Sequence, residues 1–390
     1  MGVILWIMTI VMVVLDLWVL RLLYRQGRQV WVWVYGVFAI LTDIVARFVP
    51  LIGVVGRQAP MVVMACVCVL LLAGIIKVLL AVGIIADRLA GRGRHTLFRS
   101  AGVLALIATG VMAAGIITPM RGIRVERVEL CFSNLPKGFE GARIGFFTDM
   151  HLGALTAPQK IVKQVVDSLN AEECMLVING GDLVNIRNSE LSDAHKESLR
   201  QIAAPVYSVM GNHDLGYYRR DTLEYSVAQS TADFKSAVDS LGWTRLDNRS
   251  VWIYSKGDSI LLTGIEFERK QADLRHHRSV ESVAIDSLMR AVPEGVFNIV
   301  ASHIPQHWHT IRDTHAGDLT LSGHTHAMQC KIRIGEKEWS PAALLYDEWS
   351  GLYRHDNKIL YISEGIGFAG IPIRLGTPPS IVIFTLRQCE

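Results

Sequence analysis

Ile144-Gly145-Phe146-Phe147-Thr148-Asp149-Met150-His151 is where the architecture of this chain first shows itself. An apolar run of strand length stops abruptly and hands over to an aspartate and a histidine two residues apart. The same event recurs along the chain. Met175–Asn179 leads into Gly180-Gly181-Asp182, and Val206–Met210 into Gly211-Asn212-His213-Asp214. Phe297–Ser302 runs into His303, and Leu319–Ser322 into Gly323-His324-Thr325-His326. Ile260–Gly264 and Ile359–Ser363 are further strand candidates, and Pro158–Asn170, Leu191–Ala203, Thr231–Leu241 and Val280–Ala291 carry helical patterning. Short β-rich runs separated by helices predict a layered α/β domain. Five of those strands deliver Asp, Asn or His at their C-terminal ends, the edge at which open α/β sheets hold ligands.

Carboxylate, imidazole and amide oxygen are the donor types that borderline-hard divalent cations take. On an extended segment residues two apart point the same way, so Asp149 and His151 are expected to share one ion. His324 and His326 have the same spacing, although a turn there would divide them between two ions. The glycines before Asp182 leave its carboxylate room to bridge both. A pair of such ions can bind a phosphoryl group, activate a water and stabilise in-line displacement. Taken singly, each motif has an ordinary reading, such as a turn at Gly211–Asp214. Five of them in one order, each at a strand end, point to a dinuclear centre.

This series, Asp149-x-His151, Gly181-Asp182, Gly211-Asn212-His213-Asp214, His303 and Gly323-His324-Thr325-His326, resembles the calcineurin-like metallophosphoesterase superfamily, over about residues 124–390. Asn134–Gly141 and the stretch from Leu360 to Arg374 resemble the lead-in and closing patterns of its membrane-anchored bacterial branch. The resemblance implies a four-layer αββα fold. It implies one metal on Asp149, His151, Asp182 and His326, and a second on Asp182, Asn212, His303 and His324. His213 would stabilise the phosphoryl group and protonate the leaving oxygen, a task suited to an imidazole near neutral pH. Asp214 would either orient that imidazole or serve as a turn residue. Two divalent ions are expected, with Mn2+ favoured over Zn2+, Fe or Co2+.

Where glycines often follow the last motif in that branch, Ala327 and Met328 stand here. Trp339–Tyr353 is aromatic enough for either a core hairpin or a membrane-interface lid. Arg219 and Arg220 are candidate contacts to an anionic substrate group. Arg374 is another, on the apolar loop Gly365–Gly376, which would either admit an acyl chain or close the sheet.

Residues 1–120 read differently. Four apolar stretches, about 3–23, 30–55, 60–85 and 98–117, each approach the ~20 residues that span a bilayer core. Repeated long spans do not fit a cleaved signal peptide. Asp16, Asp43, Arg47 and Lys77 lie inside them, and Asp43 and Arg47 share a helix face and can pair. Arg21, Arg25 and Arg28 flank the first connection, and Arg88, Arg92, Arg94 and Arg99 the third, against Arg57 alone in the second. The positive-inside rule then puts connections one and three in the cytoplasm and residues 121–390 outside, although Arg121, Arg124 and Arg127 pull the other way.

Charge divides the same way, with ten basic and three acidic side chains in residues 1–120 against 29 and 33 in the remainder. A mildly acidic globular part without a basic stripe argues against nucleic acid as a partner. The six cysteines show neither CxxC spacing nor disulfide-framework density and leave the compartment open. The expectation is therefore a multi-pass plasma-membrane hydrolase of a phosphate ester or pyrophosphate bond, acting on a phosphorylated, lipid-linked substrate among membrane lipids. The competing expectation is a metal-binding membrane sensor or scaffold without catalysis.

Overall fold

The structure, a computed structural model, describes residues 2–25, 27, 29–52, 59–90, 96–117, 119, 122–216, 227–267 and 283–389. The chain divides into two compact units, one built from Met1–Ile117 and Gly370–Ile373 and the other from Thr118–Ala369 and Arg374–Glu390.

The first unit consists of α1 (Gly2–Arg25), α2 (Gln29–Ile52), α3 (Ala59–Leu89) and α4 (Thr96–Ile117). These are the four apolar stretches read from the sequence. Among the described residues two helices, Cys68–Leu89 and Thr96–Ile117, are long and apolar enough to cross a membrane, while Gln29–Val45 is apolar but shorter. The expectation of four spans is thus met by two on length and composition. The charges inside the helices find each other. Lys77 Nζ on α3 lies 2.5 Å from Asp16 Oδ2 on α1 and 3.8 Å from Asp43 Oδ1 on α2. Tyr35 on α2 donates to the other Asp16 oxygen at 2.7 Å. Burying an ammonium is tolerable only with such compensation. The expected Asp43–Arg47 pairing involves a side chain outside the described residues; across helices Asp43 meets Lys77.

The second unit has two six-stranded sheets. One runs β1 (Arg124–Phe132), β14 (Ser380–Gln388), β2 (Arg143–Phe147), β3 (Leu176–Asn179), β4 (Val206–Ser208) and β5 (Thr244–Arg245). The other runs β12 (Gly351–His355), β13 (Lys358–Ile362), β9 (Leu319–Ser322), β8 (Asn298–Ser302), β7 (Asp258–Ile265) and β6 (Arg249–Ser255). Alternation along each strand fixes the layers. Ile144, Phe146, Ile178 and Phe384 from the first sheet share one buried core with Leu262, Ile299, Ala301 and Leu321 from the second. On the other face of the second sheet, Leu261 and Val300 pack with Ile285 and Met289 of the helix Val283–Arg290. On the outer face of the first, Leu169 of α5 (Pro158–Ala171) reaches Gly145 on β2. Helix, sheet, sheet, helix is the expected order.

The strands β2, β3 and β4 are parallel to one another, as are β7, β8, β9 and β13, so their C-terminal ends gather along one edge of each sheet. Pairing of β1 with β14, at opposite ends of the domain's sequence, was not legible beforehand. There Cys131 and Cys389 are joined as a disulfide with Cα atoms 5.6 Å apart, within the ordinary range for such a bond.

Candidate metal centre

All seven candidate ligands stand just beyond a strand end, and all but His324 are buried. Ligand atoms of Asp149, His151 and His326 lie within 4.8 Å of one another, as do those of Asp182, His303 and His324, and those of His151, Asp182 and His213. In the first group His326 Nε2 is 3.2 Å from Asp149 Oδ1 and 3.1 Å from His151 Nε2. In the second, Asn212 Oδ1 lies 3.1 Å from His303 Nε2 and 3.0 Å from His324 Nδ1. Asp182 Oδ2 is 3.2 Å from His303 Nε2 and 3.6 Å from His151 Nε2, in reach of both groups. Lone-pair atoms that face one another in a water-excluded space repel unless a proton or cation lies between them, and this N/O set is one that a divalent ion takes. The donor chemistry fits a dinuclear divalent site.

Backbone conformation, rather than strand pleating, achieves this. Asp149 (φ 54°), His151 (φ 44°), Asp182 (φ 54°), His324 (φ 70°) and His326 (φ 50°) are all left-handed, a region that non-glycine residues enter only under constraint. Asp149 and His151 thus converge through turns, not through the extended spacing expected. The turns are tied by Asp149 N donating to Gly181 O at 2.8 Å and His151 N to Asp182 O at 3.0 Å. His324 and His326 go to different groups, as a turn would make them. Glycine permits the closeness: a methyl on Gly323 would stand 2.1 Å from Asp149 Oδ2, and one on Gly211 2.1 Å from Asp182 Oδ1.

Electrostatics match a ligand set. Burial opposes ionisation of Asp149 and Asp182, but the imidazoles around them, His326 foremost at Asp149 and His303 at Asp182, hold both carboxyls well below the usual range. Burial pushes His151 down, and His324 down to about 3. At His303 burial favours the neutral ring, yet the Asp182 carboxylate lifts it to about 10. Ionised carboxylates beside neutral His151 and His324 rings are in the form that binds metal, and His303 would shed its proton on binding one.

His213 stands edge-on to His151, ring centroids 4.6 Å apart, and its Nδ1 is 2.5 Å from the Asn185 carbonyl. The Asp214 carboxylate is committed to the backbone. That carboxylate accepts from the backbone amides of Asp182 at 2.7 Å, Gly211 at 3.0 Å and Val184 at 3.1 Å, stapling the two glycine turns together. Burial, with the Asp182 charge adding, raises the Asp214 carboxyl to about 7. Sequence reasoning missed Asn185 and Glu190. Glu190 accepts four backbone amides, from Asn185, Ile186, Arg187 and Gly153, and so fixes the carbonyl that holds His213. An acidic residue at the end of a short polar loop is too common a signal to have singled it out.

Arg374, a candidate substrate contact, is turned inward. It is 2% exposed, and its guanidinium donates to the carbonyls of Gly367, Thr377 and Glu364. Ile366 and Phe368 on the same loop are buried too, so closure rather than acyl entry describes Gly365–Phe368. Arg219 and Arg220 lie outside the described residues. The aromatic segment divides: Tyr346 stands edge-on to His324 at 6.2 Å, Tyr353 packs on Trp308 and Leu360, and Trp339 remains 49% exposed.

Comparison with known proteins agrees with this geometry. Residues 142–328 match the calcineurin-like phosphoesterase family. A metallophosphoesterase of Helicobacter pylori is 28% identical over 251 residues, 63% of this chain and 59% of that protein. The Bacillus subtilis metallophosphoesterase YkuE is 27% identical over 306 residues, 72% of this chain and 94% of its own. A Danio rerio transmembrane protein with metallophosphoesterase domain is 29% identical over 299 residues, 73% of this chain and 62% of that one. The chain therefore spans under two thirds of the Helicobacter and Danio relatives. With the five motifs brought to one edge in the expected order, residues 142–328 form a domain of the calcineurin-like phosphoesterase family.

Proposed function

We propose that this protein is a membrane-bound, dinuclear-metal hydrolase of a phosphate ester or pyrophosphate bond in a lipid-linked substrate. The observation that carries the reading is the convergence of Asp149, His151, Asp182, Asn212, His303, His324 and His326 into two groups sharing Asp182. These residues would hold two divalent ions, Mn2+ foremost, which would supply Lewis-acid activation of the phosphoryl group and of water. Asp182 holds both halves in register. His213, its Nδ1–H donating to the Asn185 carbonyl, would as the imidazolium present Nε2–H to the leaving oxygen and return to the neutral ring on giving that proton up.

Membrane attachment is supported by the two helices long and apolar enough to cross a bilayer and by the buried Asp16–Lys77 pair, since charges inside a bilayer must be compensated. An extracytoplasmic position for residues 121–390 is supported by the arginine distribution and by the Cys131–Cys389 bond, because disulfides persist in oxidising compartments. A substrate with an apolar tail is supported by the hairpin of β10 (Ile332–Ile334) and β11 (Lys337–Trp339). Ile332 pairs with Trp339, Ile334 follows on the same face, and all three are exposed.

Purified full-length protein with Mn2+ should hydrolyse a chromogenic phosphoester, and a panel of lipid phosphates, nucleotide-linked lipids and soluble phosphoesters should show the lipid-linked ones turned over fastest. Metal binding without turnover on any of them would leave a sensor or scaffold. Protease accessibility on intact cells tests the sidedness.

A further inference from the structure

We infer that Arg374 is a positioning residue that makes one of the two metal sites, the one built by Asp149, His151 and His326, dependent on the loop 364–377. The Arg374 NH2 gives both hydrogens to Glu364 O and Gly367 O and packs 3.1 Å from His326 Nδ1, the ring nitrogen opposite the one that faces Asp149. A guanidinium offers five donors in one rigid plane. Here that plane spans Glu364 O at 3.0 Å, Thr377 O at 3.0 Å and Gly367 O at 2.8 Å, so a single side chain ties three points of the loop together against the His326 ring.

The same loop backs the other two members of the group. Gly367 N donates to Asp149 O at 2.7 Å. A methyl on Gly365 would stand 2.6 Å from Asp149 Cβ, and one on Gly367 2.2 Å from Met150 O and 2.8 Å from His151 Cβ. The loop also clamps the segment after His326, where Ala327 (φ 49°), Met328 (φ 45°) and Gln329 (φ 56°) continue its left-handed conformation. Leu375 N donates to Gln329 O at 2.8 Å, and Ala369 N to Gln329 Oε1 at 2.6 Å. Strain of this kind persists only where surrounding contacts over-determine it, and glycine, which would adopt the conformation freely, is absent from these positions. Two members of the other group are braced elsewhere: His303 Nδ1 lies 2.9 Å from Gly180 O, and Asp182 N donates to Asp214. Loss of Arg374 should therefore act on one ion and spare its neighbour.

The inference rests on the two-ion reading and is tested without reference to turnover. Full-length wild type, Arg374→Lys, Arg374→Gln and His326→Ala are titrated with Mn2+ by calorimetry and followed by electron paramagnetic resonance. Wild type should take up two ions and give the signal of a coupled pair. Both Arg374 variants should bind one ion as wild type does and the other about 10–100-fold more weakly, the usual effect of losing an outer-shell partner of a metal ligand. They should then show the isolated-ion spectrum that His326→Ala also gives. Arg374→Lys retains the buried charge, so it keeps the test open should Arg374→Gln fail to fold. Two ions bound at wild-type affinity in a folded variant, or both weakened equally, would overturn the inference alone. Wild type binding no Mn2+ would overturn the two-ion reading along with it.

Discussion

The His213 ring turns its Nδ1 to the carbonyl of Asn185, 2.5 Å away, while the adjacent Asp214 carboxylate is taken up by three backbone amides. A carbonyl only accepts, so Nδ1 carries a proton and Nε2 is the atom available for exchange. His213→Gln is expected to keep both metals and to slow hydrolysis of substrates with poor leaving groups by about 10²–10⁴-fold, the range for a lost general acid. Aryl phosphates, whose leaving groups need little protonation, should suffer much less. Equal loss on alkyl and aryl substrates would contradict the role.

Asp182 Oδ2 faces both His303 and His151, at 3.2 and 3.6 Å. Asp182→Ala should therefore deplete both ions together and abolish metal-dependent turnover. Metal analysis of the purified variant is the check; retention of two ions would exclude a bridging carboxylate.

Cys131 and Cys389 close a loop of 258 residues in sequence separation, and a cross-link over so long a span typically adds about 2–4 kcal/mol by restricting the unfolded chain. Cys389→Ser should lower the melting temperature, and non-reduced peptide mapping of the wild type should recover the two cysteines joined. Free thiols at both positions in protein isolated from intact cells would remove this support for an external domain.

Within the helical unit, Lys77→Met leaves the buried Asp16 carboxylate without its cation. Breaking one partner of a buried pair costs about 3–5 kcal/mol. Thermal unfolding in detergent should show that loss, with Asp16→Asn in the same chain recovering part of it. Additive losses in the double variant would mean the two groups are not coupled.

His307 is buried, and that burial, with the charges of His303 and His324, holds its ring down to about 3 against an ordinary 6.5. The sign follows from linkage: below 6.5 the unfolded chain takes up a proton that the folded chain refuses, so stability falls as pH drops from 6.5 toward 3. His307→Asn, which keeps a polar group beside Ser302, should flatten that limb of the stability profile measured by tryptophan fluorescence. An unchanged slope would show that His307 does not carry it.

Much was legible locally. Apolar runs such as Ile144–Phe147 and Leu319–Ser322 declare strands because alternation and length are properties of the chain itself, and the polar residues that interrupt them mark the sheet edge. The helical stretches before residue 120 declare themselves by hydropathy for the same reason. Residue types and their order therefore determined the fold class and the identity of the candidate ligands. What only the tertiary structure decided is anything that depends on partners distant in sequence. These are the pairing of β1 with β14, the Asp16–Lys77 contact between helices, the loop that turns Arg374 inward, and the staple by which Glu190 places the Asn185 carbonyl. Even the convergence of Asp149 with His151 came from left-handed turns. Turns of that kind are stable only because hydrogen bonds from neighbouring strands hold them, and those bonds exist only once the sheets have formed.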